Sequence, residues 1–233
     1  MKSTYLQPMK SRSIIITAGG TGKRMGGNQP KQFLLMNGKP VLMHTIERLH
    51  SYSPENQFIL TLPGDSIAEW KKLCERHNFR IAVSVIPGGA ERNDSVRNAL
   101  EICTGEIIAV HDGVRPFVSD ETLDNLFKAA EEHKAVIPVL PVKDSLRKVS
   151  GAKSTAAVRS EFRIVQTPQV FSAKILRKAH GQAVTPEMTD DASMVEALGE
   201  AIYLVQGNEE NIKITVPLDL LIGEAVIASG FCN

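Results

Sequence analysis

Between Ala18 and Phe33 the chain runs AGGTGKRMGGNQPKQF, so that five glycines are interleaved with Lys23, Arg24 and Lys31. Glycines let backbone N–H groups approach and converge on an anion, and three cations match the charge of a triphosphate. The β-branched run Ile14-Ile15-Ile16 stands directly before the loop and reads as a buried strand, a setting that a merely solvated glycine loop does not need. Two other phosphate motifs fail here. A GxxxxGK[ST] loop ending at Gly22-Lys23 requires glycine where Thr17 stands and a hydroxyl where Arg24 stands, and a GxGxxG fingerprint from Gly20 requires glycine at Met25. ATPase and dehydrogenase readings lose their main support.

Further along, Asp112 follows the apolar run 107–110. A carboxylate there could hold Mg²⁺ against a triphosphate, since Mg²⁺ is usually bound by one or two carboxylates plus phosphates; a turn or capping aspartate is the alternative. Ser95 lies beyond Gly88-Gly89, where it also reads as a helix cap. Thr189 precedes Asp190-Asp191 as an N-cap would, Thr167 precedes Pro168 as a turn residue would, and Lys213 fits an exposed strand.

Positioning these residues falls to a regular alternation. Strand-like runs at 14–16, 58–62, 81–86, 107–110 and 135–140 alternate with helical patterns. The helices are expected with Pro40 at the first position of one (Leu42, Ile46, Leu49), at 67–77, ending near Leu100, and from Ser119, where Leu123, Leu126, Phe127 and Ala130 share a face. Asn37-Gly38 marks a tight turn. This order predicts right-handed βαβ units in a doubly wound, mostly parallel α/β sheet covered on both faces, with chemistry in the loops after the strands. Residues 144–163 mix polar and apolar types without a strong helical period, which predicts an excursion from the sheet. Helical patterns return at 173–180 and 190–198, then strand-like runs at 202–205 and 212–216, and a last helix over about 217–229.

The 233 residues suit a single domain over 13–233 behind a loose tail, 1–12, in which Met9 offers a second start. A net charge of +1 gives no excess for a polyanion, so neither a nucleic acid nor a membrane surface is expected as partner. No apolar run approaches the roughly 18 residues of a membrane span, and the opening segment lacks a signal peptide's apolar core. Cys74, Cys103 and Cys232 are odd in number and form no CxxC or Cys/His cluster, which fits a reducing cytoplasm without a zinc site.

The pattern AGGxGxRMG with PKQF downstream resembles the nucleotidyltransferase signature of sugar-activating pyrophosphorylases, and its PKQF ending resembles the polyol-phosphate cytidylyltransferase branch. Six further ordered segments extend the resemblance over nearly the whole chain: Gly88-Gly89 through Glu91-Arg92-Asn93-Asp94-Ser95-Val96, then His111-Asp112-Gly113-Val114-Arg115-Pro116, Pro141-Val142-Lys143-Asp144-Ser145, Thr167-Pro168-Gln169, Thr189-Asp190-Asp191-Ala192-Ser193 and Asn211-Ile212-Lys213. The resemblance implies transfer of CMP from CTP to a polyol phosphate with release of pyrophosphate. It puts 2-C-methyl-D-erythritol 4-phosphate, a precursor in non-mevalonate isoprenoid synthesis, ahead of ribitol 5-phosphate. Transfer from another triphosphate to a hexose phosphate is a more distant reading. A non-catalytic nucleotide sensor is the alternative from a different class, and Arg24, Lys31 and Asp112 together speak against it.

By the same resemblance Arg24 and Lys31 are the catalytic pair, stabilising charge on the α-phosphate and the leaving pyrophosphate. Ala18, Gly19, Gly20 and Gly22 supply backbone contacts to CTP, Lys23 neighbours a phosphate, and Gly88 and Ser95 meet the cytosine and ribose. Ala90 stands where many relatives carry an acidic residue. Asp112 is expected at Mg²⁺ and near the polyol, with Arg115, Thr167, Thr189 and Lys213 at the substrate end. Residues 144–163 correspond to an arm that embraces a second subunit, so that Ser145 and Arg159 reach the substrate phosphate of the partner's site in a cytosolic homodimer.

Overall fold

The computed structural model describes residues 10–20 and 30–231. Gly22, Lys23 and Arg24, residues 1–9 of the expected tail, and Cys232 lie outside the described residues. In chain order the elements are β1 (Arg12–Thr17), β2 (Leu35–Met36), β3 (Lys39–Pro40), α1 (Val41–Tyr52), β4 (Gln57–Leu62), α2 (Ile67–Arg76), β5 (Ser84–Pro87), α3 (Arg92–Leu100), β6 (Ile107–Asp112), α4 (Asp120–Glu132) and β7 (Ala135–Pro141). They continue with β8 (Leu146–Ser150), β9 (Lys153–Ala157), β10 (Arg163–Val165), β11 (Gln169–Ser172), α5 (Ala173–His180), α6 (Asp191–Glu196), β12 (Tyr203–Gln206) and α7 (Pro217–Ala228).

The main sheet has the order β10-β7-β11-β6-β1-β4-β5, with β12 pairing in parallel along β7. Its centre is parallel, β1 lying between β4 and β6. Successive side chains of a strand face opposite ways, and β1 uses both faces. Ile14 and Ile16 pack with Leu42 and Ile46 of α1, Trp70 of α2 and Leu126 of α4. Ile15 packs with Val96 of α3, Leu176 of α5 and Met194 of α6. Helices therefore cover both faces, which is why the central strands are continuous apolar runs rather than alternating ones.

The register levels the carboxyl ends of the strands. Thr17 pairs with Asp112 on one side and Thr61 on the other, and Thr61 with Ile86. From β1 the chain winds outward through β4 and β5, then returns to place β6 on the other side. That reversal opens a crevice above β1, the usual ligand position in such sheets.

Several local expectations shift. The tail gives way to β1 already at Arg12, and the Ser11 carbonyl accepts from Glu106 and Ile107 N–H, tying the entry to β6. Pro40 precedes α1 as its cap instead of opening it. The 81–86 run is a strand only from Ser84. The 212–216 run makes no strand, although Ile214 N–H donates to the Val114 carbonyl at 2.9 Å. β11 interrupts the parallel order, running antiparallel to both β6 and β7. Residues 144–163 do leave the main sheet: β8 and β9 form their own hairpin, turning at Gly151 with φ 58°. The Asn37-Gly38 turn is present between β2 and β3, both residues at positive φ. No helix among the described residues is long and apolar enough to cross a membrane.

Gly105 lies where the chain enters β6 against β1. A Cβ there would sit 2.7 Å from the Arg12 carbonyl carbon and closer still to the Ser13 nitrogen, both backbone atoms that cannot yield. Gly105→Ala is expected to destabilise the chain by about 1–3 kcal/mol, whereas Gly64→Ala, which meets open space, should stay within about 0.5 kcal/mol. Urea midpoints at unchanged m-value test the contrast.

Candidate active site

A cleft of about 270 Å³ opens over the level strand ends. Ala18, Gly19 and Gly20 bring β1's exit loop to one wall, Lys31 and Gln32 stand beside them, and Gly89 to Ser95 form another wall. Asp112 and Lys213 close the site.

Backbone chemistry sorts the first wall. Ala18 N–H donates to the Thr61 carbonyl at 3.0 Å, and its own carbonyl accepts from Gln32 Nε2 at 2.8 Å. Both polar groups of Ala18 are thus engaged in holding the strand end, so it anchors the loop. The Gly19 and Gly20 amides make no hydrogen bond among the described residues. A Cβ on Gly20 would lie 2.9 Å from Lys31 Cε, so the lysine side chain passes directly over this glycine.

The second wall is folded by Ser95. Its hydroxyl accepts from Gly89 N–H at 3.0 Å and donates to the Glu91 carbonyl at 3.2 Å. Gly88 lies behind it, where a Cβ would stand 2.7 Å from the Ser95 oxygen. Ser95 is not the cap of α3. That place belongs to Glu91, whose N–H donates to Asp94 in a capping box.

Asp112 carries the electrostatics. Its carboxylate is nearly buried, with Lys213 Nζ 3.0 Å and Arg115 Nε 3.2 Å from Oδ2, and Arg92 Nε 3.8 Å from Oδ1. Burial alone would raise its pKa; Lys213, Arg92 and Arg115 outweigh that and hold it far below the usual carboxylate range. Behind it, His111 is fully buried. Its Nε2–H donates to the Arg115 carbonyl at 2.9 Å, while Nδ1 accepts from the Thr167 hydroxyl at 3.0 Å, which in turn accepts from Asp112 N–H at 3.1 Å. Burial pushes His111 down to about 4, although the Arg115 carbonyl favours the charged ring.

The expected substrate-end residues therefore take different places. Lys213 reaches the cleft, whereas Arg115 and Thr167 stand behind Asp112; Arg115 also donates to the Asn211 carbonyl at 2.8 Å. Thr189 lies in an adjoining recess that shares Glu91 and Arg92 with the cleft, and the cap of α6 is Asp190, not Thr189. Ser145 and Arg159 lie on the exposed excursion away from this cleft, Arg159 donating to the Lys143 carbonyl. Arg92, Gln32 and His111 were given no role by sequence reasoning, although each stands inside a motif it singled out.

A magnesium ion fits the donor set in one way. No cluster of three or more His, Cys, Asp or Glu among the described residues could cage a metal. Asp112 Oδ1, however, makes no hydrogen bond with any described residue, and a single carboxylate with phosphate oxygens is a common Mg²⁺ environment.

Glycine amides and cations gathered at the switch point of a doubly wound sheet, without a Walker or dinucleotide loop, define a class: the Rossmann-like nucleotidyltransferases. A family model for 2-C-methyl-D-erythritol 4-phosphate cytidylyltransferase matches residues 13–229, and the chain belongs to that family. It is 50% identical over 217 residues to the 2-C-methyl-D-erythritol 4-phosphate cytidylyltransferase of Bacteroides thetaiotaomicron, covering 93% of this chain and 99% of that one. Among solved structures, the enzyme of the same name from Thermus thermophilus superposes with TM-score 0.73 at 30% identity, covering 92% of this chain and 98% of that one. The 4-diphosphocytidyl-2C-methyl-D-erythritol synthase of Anaerococcus prevotii gives TM-score 0.80 at 25% identity, covering 94% and 96%. The chain is accordingly a cytidylyltransferase, and the family match does not favour the ribitol phosphate alternative.

Between about pH 6.5 and 4 the unfolded chain protonates His111 while the folded one resists. Stability should therefore fall as pH drops through this window, by on the order of 2–3 kcal/mol. Asp112 and Asp191, both depressed despite burial, add their loss only below about pH 4. Urea midpoints at pH 7, 5.5 and 4.5 should show the fall in the wild type and a flatter profile in His111→Gln; equal slopes would remove His111 as the source.

Proposed function

We propose that this cleft transfers CMP from CTP to 2-C-methyl-D-erythritol 4-phosphate, yielding 4-CDP-2-C-methyl-D-erythritol and pyrophosphate for isoprenoid precursor synthesis, by positioning and charge neutralisation alone. A phosphate oxygen of the polyol attacks the α-phosphorus of CTP; the new P–O bond forms as the bond to the β-phosphate breaks. Little covalent chemistry falls to the protein. The observation that carries this reading is Asp112, held ionised among Lys213, Arg115 and Arg92, across the cleft from Lys31 and the glycine amides.

Arg24 and Lys31 stabilise the charge on the α-phosphate and pyrophosphate, with Gly19, Gly20, Gly22 and Lys23 cradling the triphosphate. Gly88 and Ser95 shape the cytidine wall, where Ser95 keeps one lone pair for the nucleotide. Lys213, with Arg115 and Thr167 supporting Asp112, serves the polyol, and Thr189 borders its entrance. Asp112, together with the triphosphate oxygens, would hold Mg²⁺, which supplies charge neutralisation when bound.

The 13–233 unit works as a homodimer in the cytoplasm. Support comes from the excursion and its base, where Val149, Val158, Phe162 and Ile164 are left 46–69% exposed. In the dimer Ser145 and Arg159 contact the substrate phosphate of the partner's site.

Pyrophosphate release should be greatest with CTP and 2-C-methyl-D-erythritol 4-phosphate; equal turnover of ribitol 5-phosphate, or none with any polyol, would reject the assignment. Arg24→Ala and Lys31→Ala should each lower turnover on the order of 10²-fold or more. Near-normal turnover in either purified variant would sink the charge-stabilising role. Mixing Arg159→Ala with Asp112→Ala subunits should restore partial activity. No restoration in mixed dimers verified by mass would confine Arg159 to its own subunit.

A further inference from the structure

Arg92 faces both the nucleotide cleft and the adjoining recess, and it is held from behind. Its Nη1 donates to Asp191 Oδ2 at 2.7 Å, while its Nε lies 3.8 Å from Asp112 Oδ1. Asp191 has 0% side-chain exposure, and its other oxygen accepts from His180 Nε2–H at 3.0 Å. Both carboxylate oxygens are thereby committed. The frame around them is rigid: Gln169 on β11 donates to Asp190 at 2.7 Å and accepts from Ala192 N–H at 3.0 Å, fixing the start of α6.

Stability gives a poor reason for this arrangement. A buried ion pair commonly gains no more than a well-packed apolar replacement, because desolvating both charges offsets their attraction. Among the described residues His180 Nδ1 is buried without a hydrogen-bond partner, a further penalty for placing that ring where its Nε2 meets Asp191. Geometry gives a better one. Lys213 and Arg115 both pull on Asp112 Oδ2, and among the described residues Arg92 is the cation that faces Oδ1. An arginine side chain left to itself samples many rotamers, and a fixed carboxylate behind it removes that freedom.

We propose that Asp191, steadied by His180, is a positioning residue for the transfer: it holds the Arg92 guanidinium so that its charge stands beside Asp112 Oδ1 at the cleft. His180, Asp191, Arg92 and Asp112 form one chain of contacts from the core to the cleft. The inference rests on the CMP transfer proposed for this cleft, and pyrophosphate release by the unaltered protein tests that transfer separately.

The experiment measures kcat and KM for Asp191→Asn, His180→Gln, Arg92→Gln and the double variant Asp191→Asn with Arg92→Gln, below the melting temperature of each. Asp191→Asn should lower kcat on the order of 10-fold or more, with KM for CTP changed by no more than about 2-fold. The double variant should be no slower than Arg92→Gln alone, because Asp191 acts only through that guanidinium. Wild-type kcat in folded Asp191→Asn, or losses that add in the double variant, would overturn the proposal. If Asp191→Asn does not fold, His180→Gln decides, since it keeps the ion pair and loosens only its anchor. A several-fold fall in kcat at unchanged KM for CTP supports the chain of contacts, and an unchanged kcat overturns it.

Discussion

The charge on Asp112 is the constraint around which the site is built. A carboxylate with so little exposure at the end of a central strand is tolerable only if cations and donors surround it. Three cations do so, and each arrives from a different part of the chain: Arg92 opens α3, Arg115 follows β6, and Lys213 comes from the segment before α7. Satisfying one buried charge thereby pins three segments around a single point. The same point lines the cleft.

The sheet makes that convergence reliable. Parallel pairing with Thr17 opposite both Asp112 and Thr61 sets the loops after β1, β4 and β6 at one level. Buried polar groups then lock each loop to its neighbour. Gln32 holds Ala18, Ser95 folds Gly89 onto Glu91, and Thr167 joins His111 to the Asp112 amide. None of these side chains needs to touch a substrate to matter. They keep glycine amides, cations and a carboxylate in place before any ligand arrives, which is how electrostatic preorganisation lowers a barrier in phosphoryl chemistry.

Much of the fold was legible because it is written in local periods. β1, β4, β6, β7 and helices α2 to α5 each carry a continuous apolar run or a helical stripe, and their order implies the doubly wound sheet. The strands missed were short or paired late in the chain. β11 has four residues after a Thr-Pro step and pairs antiparallel with strands laid down far earlier, and β10 has three. Their pairing is a property of the sheet edge available to them and not of their own sequence. The 212–216 run failed in the opposite sense: its alternation is real, but Ile214 packs into a cluster with Val114 and Phe117 without joining a ladder.

For the site, sequence alone determined the kind of chemistry. A glycine-rich basic loop after a buried strand, followed by ordered motifs, points to nucleotidyl transfer because residue types and their spacing fix which groups can meet a triphosphate. Tertiary structure decided who does what. It spent the Ala18 amide on Thr61, turned Ser95 into its own loop, moved Thr167 and Arg115 behind Asp112, and brought Arg92 and Asp191 into play. The physical reason is that a hydrogen bond or ion pair depends on positions in space set by sheet register. No local period in the chain records which distant side chains that register will bring together.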